Sequence, residues 1–287
     1  MSKVFVADAA GFTGAALLGA LVEKGVAAVA GIHGVGDGCA PDGWSGETRK
    51  YAFDDAAVLA GAMAGCDALY LAPPFDETMA RSGSVAVEAA RQAGIGFIVL
   101  MSRYGASSDA HWRLGREVGM IDQFVEDSGI PFTVLRANTF MQKFTTLLAG
   151  EIRSGRVPLP EESCPVSYLD ADDAALCAAR LFADREGHGN RTYALTGPEG
   201  LTGADVAARI AGATGKAMAY ESVDEDAFIA LLDAAGLSEW RRNMEVSLSR
   251  VVKLGMMGNV TGAVKFLTGA PPRAFADFAA ARLAAWS

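Results

Sequence analysis

The segment VFVADAAGFTG, Val4 to Gly14, sets a short apolar run against a turn holding two glycines, and the Ala-rich stretch GAALLGALVEKG follows from Gly14. The apolar run reads as a buried strand. Leu17, Leu18, Leu21 and Val22 share one face of a helix that Gly25 ends as a C-terminal glycine would. Strand, glycine turn and helix in this order make a phosphate-binding turn. There the first glycine allows a tight bend, the second lets the backbone approach a pyrophosphate, and the third lets the helix pack closely. Gly11 and Gly14 take the second and third places of a G-x-x-G-x-x-G spacing, and Asp8 takes the first. Two unit charges about 4 Å apart repel by about 4 kcal/mol at an effective dielectric near 20, and about 1.4 kcal/mol is tenfold in affinity. Two placements of Asp8 are open. Either it turns into the loop and accepts hydrogen bonds from the N–H groups of Gly11 to Thr13, plugging the anion site, or it points aside into solvent and leaves that site free.

Outward from this turn, the same alternation of apolar runs and amphipathic stretches continues. It predicts strands at Lys3–Ala7, Ala27–Ile32, Lys50–Phe53, Ala68–Ala72, Phe97–Ser102 and Phe132–Arg136. SVAVEAARQAG (Ser84–Gly94) and GREVGMIDQFVEDSG (Gly115–Gly129) repeat the crossover helix, the second with Val118, Ile121 and Val125 as its stripe. Apolar strands covered by helices imply an α/β fold with a doubly wound parallel sheet of Rossmann type over residues 1–140. Residues 141–287 are expected to form a smaller, mainly helical substrate lobe, with 165–198 returning to the core. Within it NTFMQKFTTLLAGEIRSGRVPLP reads as a helix ending in a Pro-rich turn. VSYLDADDAALCAARLFAD (Val166–Asp184) reads as a strand and helix rejoining the sheet, Thr202 as an N-cap, and Met218 to Ser287 as mostly helical.

The 287 residues are 51% hydrophobic and 21% charged, enough apolar material for one large α/β domain or a core with a smaller lobe. A net charge of −9 without any basic run argues against nucleic acid. The start lacks a signal-peptide pattern and no apolar stretch approaches about 18 residues, so the expectation is a cytoplasmic protein without a membrane partner. Cys39, Cys66, Cys164 and Cys177 have no C-x-x-C spacing. His33, His111 and His188 form no H-E-x-x-H, so no metal site is expected.

The chain resembles the NmrA-like group of atypical short-chain dehydrogenases. GFTGAALLGAL, AGCDALYLAPP (Ala64–Pro74), DSGIPFTVLRANTFMQKF (Asp127–Phe144), VSYLDADDAA, YALTGPEGLTGADVAARIAGATGK and the terminal VTGAVKFLTGAPPRAFADF carry the likeness over nearly the whole length. The resemblance implies a Rossmann core with NAD or NADP held by Asp8, Gly11, Phe12, Thr13 and Gly14 in the first turn, His33 at the second strand, Ala72 and Pro73 after the fourth, and Ser102 after the fifth. It also implies that members are NAD(P)-dependent reductases or nucleotide-sensing regulators without turnover. The family usually has glycine at Asp8, an Arg or other polar handle around His33, aspartate at Ala52 and asparagine at Lys143. The loop HGVGDGCAPDGWSGE carries Asp37, Asp42 and Glu47 and no cation before Arg49, which favours NAD over NADP.

For chemistry, Y-x-x-x-K is absent, because Ser108 stands four after Tyr104. Ser102 and Tyr104 remain candidates because ligands sit at strand C-terminal ends in this architecture, although a turn hydroxyl and a half-buried aromatic need no function. His111 is a candidate acid or base, or a solvent-facing helix start. Lys143 is a candidate base or anion-binding group, or a surface lysine. Phe75, Trp112, Phe140, Met141 and Phe144 are expected to rim a pocket for a small, partly apolar molecule. Asp170, Asp172 and Asp173 read as a strand end and helix start. Three functions follow. The first is an NAD(P)-dependent oxidoreductase acting on a small carbonyl or conjugated substrate. The second is a cofactor-independent lyase or isomerase, and the third a non-catalytic nucleotide-sensing regulator. The chain is expected to be a monomer or homodimer.

Overall fold

A computed structural model describes residues 3–33 and 40–287; Asp37 and Cys39 lie outside the described residues. The strands are β1 (Lys3–Val6), β2 (Ala27–His33), β3 (Glu47–Tyr51), β4 (Ala68–Leu71), β5 (Phe97–Arg103), β6 (Phe132–Ala137), β7 (Arg156–Leu159), β8 (Arg191–Leu195) and β9 (Ala219–Ser222). Two compact units result. The first comprises Met1–His111, Gly115–Arg136 and Ala171–Ala194; the second comprises Trp112–Leu114, Ala137–Asp170 and Leu195–Ser287.

The first unit is a doubly wound α/β layer structure built on a seven-stranded sheet in the order β3-β2-β1-β4-β5-β6-β8. From β3 to β5 every neighbouring pair is parallel, with Val4 opposite Ala28 on one side and Ala68 on the other. Val4, Phe5 and Val6 of β1 and Ala68 to Leu71 of β4 are all fully buried, as strands covered on both faces must be. Burying a Val- to Phe-sized side chain contributes about 1.5–3 kcal/mol. Helices α1 (Phe12–Glu23), α2 (Ala56–Ala62), α3 (Met79–Gln92) and α4 (Arg113–Glu126) follow successive strands, and α1 packs on a later helix, Ala171–Ala183. Gly25, with φ 66, closes α1 in the left-handed conformation that glycine adopts without cost. The chain order reverses between β1 and β4, and such a switch point opens a crevice beyond the carboxyl ends of the strands.

The second unit departs from the expected single long helix after β6. Met141–Phe144 forms one 3-10 turn, α5 spans only Ala149–Arg153, and Arg156–Leu159 is a strand, β7, pairing in parallel with β9. Local hydrogen bonds divert the backbone. Asn138 Oδ1 accepts from the Thr139 N–H, and the Thr145 and Thr146 hydroxyls donate to the Gln142 carbonyl. Val166–Asp170 also differs from its expectation. It joins no strand of the large sheet and makes single bridges, Val166 to Leu201 and Leu169 to Phe140. The chain re-enters the first unit only at α6 (Ala171–Ala183), whose first turn carries Asp172 and Asp173 toward the positive end of its dipole. Thr202 caps α7 (Gly203–Thr214) in a full capping box with Asp205. Helices α8 (Glu225–Ala234), α9 (Glu239–Lys253), α10 (Ala263–Thr268) and α11 (Phe275–Ala281) complete the unit. Among the described residues no helix is long and apolar enough to cross a membrane.

Candidate functional site

The turn from Asp8 to Gly11 is anchored to three strands. The Ala7 N–H donates to the Tyr70 carbonyl of β4, the Ala9 N–H to the Gly31 carbonyl of β2, and the Asp8 N–H to the Tyr51 hydroxyl of β3 at 3.2 Å. The Gly11 N–H closes the turn on the Asp8 carbonyl at 2.9 Å. Asp8 itself has φ 59, the left-handed region that the expected glycine would occupy freely and that costs another residue roughly 1–2 kcal/mol. A Cβ on Gly11 would sit 2.1 Å from Asp8 Oδ2, and one on Gly14 would sit 2.2 Å from the Asp8 carbonyl oxygen. Gly14 is therefore required by the closeness of the backbone, whereas at Gly11 a side chain would have to displace the Asp8 carboxylate.

Those contacts place the Asp8 carboxylate inside the turn, against Gly11. It does so without the hydrogen bonds expected from Gly11 to Thr13, since burial is the one influence acting on the carboxyl among the described residues. The internal plug is thus half formed: the carboxylate is in place and the amides do not bind it. Burial without a compensating charge pushes the Asp8 carboxyl up to about 6. Thr13 is buried and its hydroxyl accepts from Tyr70 at 2.7 Å, whereas Phe12 is exposed. The first N–H groups of a helix have no intrahelical partner, so the start of α1 can hold an anion once Asp8 is neutral.

At the edge of the crevice His33 stacks against Phe53, ring centroids 5.0 Å apart, and meets Tyr51 edge-on at 5.9 Å. Burial lowers its pKa, opposed by Asp76 and Asp54. Tyr51, which the sequence analysis did not single out, is thus both the holder of the Asp8 N–H and a wall beside His33. Its signal was its position next to Ala52. Arg49 donates to the carbonyls of Ala62 and Ala64 and pairs with Glu47. Ala72 and Pro73 are half-buried after β4, near Phe75, whose ring lies 4.0 Å from the Arg103 guanidinium.

Ser102 does not face a crevice. It is buried, and its Oγ lies among Asp122 of α4 and Arg136 of β6, which are paired at 2.9 Å. Ser102 Oγ and Asp122 Oδ1 form no hydrogen bond of ordinary geometry, yet the hydroxyl helps the carboxylate stay ionised against a burial that raises its pKa. Ser102 therefore serves the interior of the sheet, because the alternation of β5 turns its side chain toward α4. Tyr104 is half-buried in the following turn. The loop beyond it is fastened to α4 by Ser107 N–H to Gly115 carbonyl, 3.1 Å, and by Arg116 to Ala110 carbonyl, 2.9 Å. Gly119 permits this contact, since a Cβ there would meet Ser107 at 2.1 Å. His111 is exposed close to Asp109.

In the second unit Lys143 pairs with Glu161 at 3.2 Å, side chains 15% and 6% exposed, which removes the reading of a free surface lysine. Glu161 Oε2 is buried without a partner. Met141 and Phe144 are fully buried rather than rim residues. Phe144 meets Tyr168 and Phe275 edge-on at 5.1 and 5.2 Å, and its carbonyl accepts from the Trp286 indole. Phe140 and Trp112 are half-buried. Asp170 is wholly buried between Gln142 at 2.7 Å and Arg273 at 2.5 Å. Among the described residues no group of three His, Cys, Asp or Glu is placed to hold a metal ion.

The model of the NmrA-like family matches residues 1–254. The chain belongs to that family. It is 28% identical over 229 residues to an NAD(P)H azoreductase of Xenophilus azovorans, covering 80% of each. It is 30% identical over 240 residues, 82% of each, to a (4-alkanoyl-5-oxo-2,5-dihydrofuran-3-yl)methyl phosphate reductase of Streptomyces griseus subsp. griseus. The NADPH-dependent quinone oxidoreductase of Escherichia coli, solved with NADPH, superposes with a TM-score of 0.84 at 22% identity, over 98% of this chain and 99% of that one. That last likeness shows the Rossmann-type fold.

Proposed function

We propose that this protein is an NAD(P)H-dependent oxidoreductase that reduces a small, partly apolar carbonyl or conjugated compound. The observation that carries this reading is the start of α1, whose N-cap is Gly11 with no side chain to fill it, at the switch point of the sheet, in a chain with two reductase relatives over 80% and 82% of its length. The residues fit a dinucleotide: the first backbone N–H groups of α1, from Phe12 to Gly14, would be the donors to its diphosphate, and Tyr51, His33 and Phe53 would offer an aromatic wall for the adenosine end. NADH is preferred to NADPH. Arg49, one of the two cations of β3, is committed to Ala62, Ala64 and Glu47 rather than to a 2′-phosphate.

When bound, the dinucleotide supplies the hydride. The chain's part is to orient and protonate. Tyr104, in the turn after β5 and followed by the loop fastened over Gly119, is the proton donor. The Asp8 carboxylate against Gly11 favours the alternative of redox-neutral acid–base chemistry without a nucleotide. Titrating NADH and NADPH against tryptophan fluorescence separates the two. The reductase reading expects saturable binding, tighter for NADH, and at least about tenfold tighter again for Asp8→Gly, which removes a charge from the diphosphate site. If neither protein binds either nucleotide, the cofactor-free reading takes over.

A further inference from the structure

Asp8 combines three features that no ordinary structural role uses. It stands at φ 59, where its carboxylate reaches into the turn; Oδ2 fills the space of a Gly11 side chain; and among the described residues no amide or cation acts on that carboxylate. The groups around it are known from each packed element. Tyr51 of β3 binds the Asp8 N–H, and Tyr70 of β4 donates to Thr13 of α1. Both phenols are held well above their ordinary range by burial, so neither carries charge near neutrality. Helix α1 offers no acid and no base in its first turn. His33 sits with Phe53, Asp54 and Asp76 and does not shift Asp8. A diphosphate arriving at this helix start therefore meets one removable charge.

We propose that Asp8 couples dinucleotide binding to proton uptake: the diphosphate settles on the start of α1 only over a neutral Asp8 carboxyl, so each binding event takes up one proton and coenzyme affinity rises in acid. This rests on the reductase reading. The physical cause is linkage. A bound diphosphate raises the proton affinity of Asp8, and by reciprocity the proton raises the affinity for the diphosphate. The free carboxyl, already pushed up to about 6 by burial, starts close enough to neutrality for that proton to be available. The residue thereby selects for the protonation state in which the coenzyme is accepted, a property that a glycine at the same position lacks.

The test is isothermal titration of NADH and of NADPH into the full chain and into Asp8→Asn and Asp8→Gly, from pH 5.5 to 8, in buffers of different ionisation heat. The heats report how many protons binding takes up. A 2′-phosphate titrates near pH ~6 on its own account, and His33 can also titrate, so the difference between wild type and Asp8→Asn is the informative quantity. Wild-type affinity is expected to fall by up to about tenfold per pH unit above pH ~6, with close to one proton taken up per dinucleotide. Both variants should show a much flatter profile and bind at least about tenfold more tightly than wild type at pH ~8. Wild-type binding that matches Asp8→Asn across the range, with no extra proton uptake, overturns the coupling and leaves the reductase reading intact. Failure of all three proteins to bind either nucleotide at any pH overturns both.

Discussion

Asp8 and Asp170 are two buried aspartates in two units, and their surroundings give them opposite properties. Asp170 is fully inaccessible, yet each oxygen has a partner: Gln142 donates to Oδ1 and Arg273 to Oδ2. Asp8 is less deeply buried and has none, so burial pushes it up to about 6. Depth of burial alone does not set the cost of a carboxylate; the number of donors arranged around it does. Asp170 holds segments of its unit together. Asp8 sits in the glycine turn before α1 as a group that can be neutralised.

The comparison breaks most severely at Asp170. Asp170→Ala removes the anion from Gln142 and Arg273 and should lower stability by about 3–5 kcal/mol in denaturant unfolding; a loss below about 1 kcal/mol would show that the pair is incidental. Asp8→Asn should act in the opposite direction, raising stability at pH ~8 by about 1–3 kcal/mol. The sign follows from the direction of the shift. The folded carboxyl binds its proton more tightly than the unfolded one, about 6 against 3.8, so folding is penalised increasingly as pH rises through that window and constantly above it. The gain should vanish below pH ~3.5, where both states are protonated, and a gain of equal size there would trace the effect to the left-handed backbone instead. The mildest perturbation is Gln142→Met, which removes the donor to Asp170 Oδ1 and should cost about 1–2 kcal/mol in thermal or urea unfolding.

Much of the first unit was legible from residue patterns. All six expected strands form within a few residues of their anticipated bounds, and Leu17, Leu18 and Leu21 and the stripe of Val118, Ile121 and Val125 are buried as read, whereas Val22, expected on the first stripe, is exposed. These follow from periodicity, which needs no knowledge of distant neighbours. The stretch after β6 was misread because Asn138, Thr145 and Thr146 take up backbone hydrogen bonds that a helix would need, and such competition leaves little trace in hydrophobic pattern. For the site, Gly11, Gly14 and Asp8 were visible as a spacing. The burial of Ser102 against Asp122 and Arg136, the pairing of Lys143 with Glu161, and the tie from Tyr51 to Asp8 all join residues 14 to 43 positions apart.

What the sequence by itself determined is the alternating α/β order, the doubly wound sheet and an anion-binding turn with an acid in its first glycine place, because these depend on local periodicity and on which residues lack a Cβ. Tertiary structure alone decided the charge state open to that acid. Donors and burial around a carboxylate are supplied by strands far along the chain. Here β3 and β4 bring phenols and no cation to Asp8, while in the second unit an arginine and a glutamine close on Asp170.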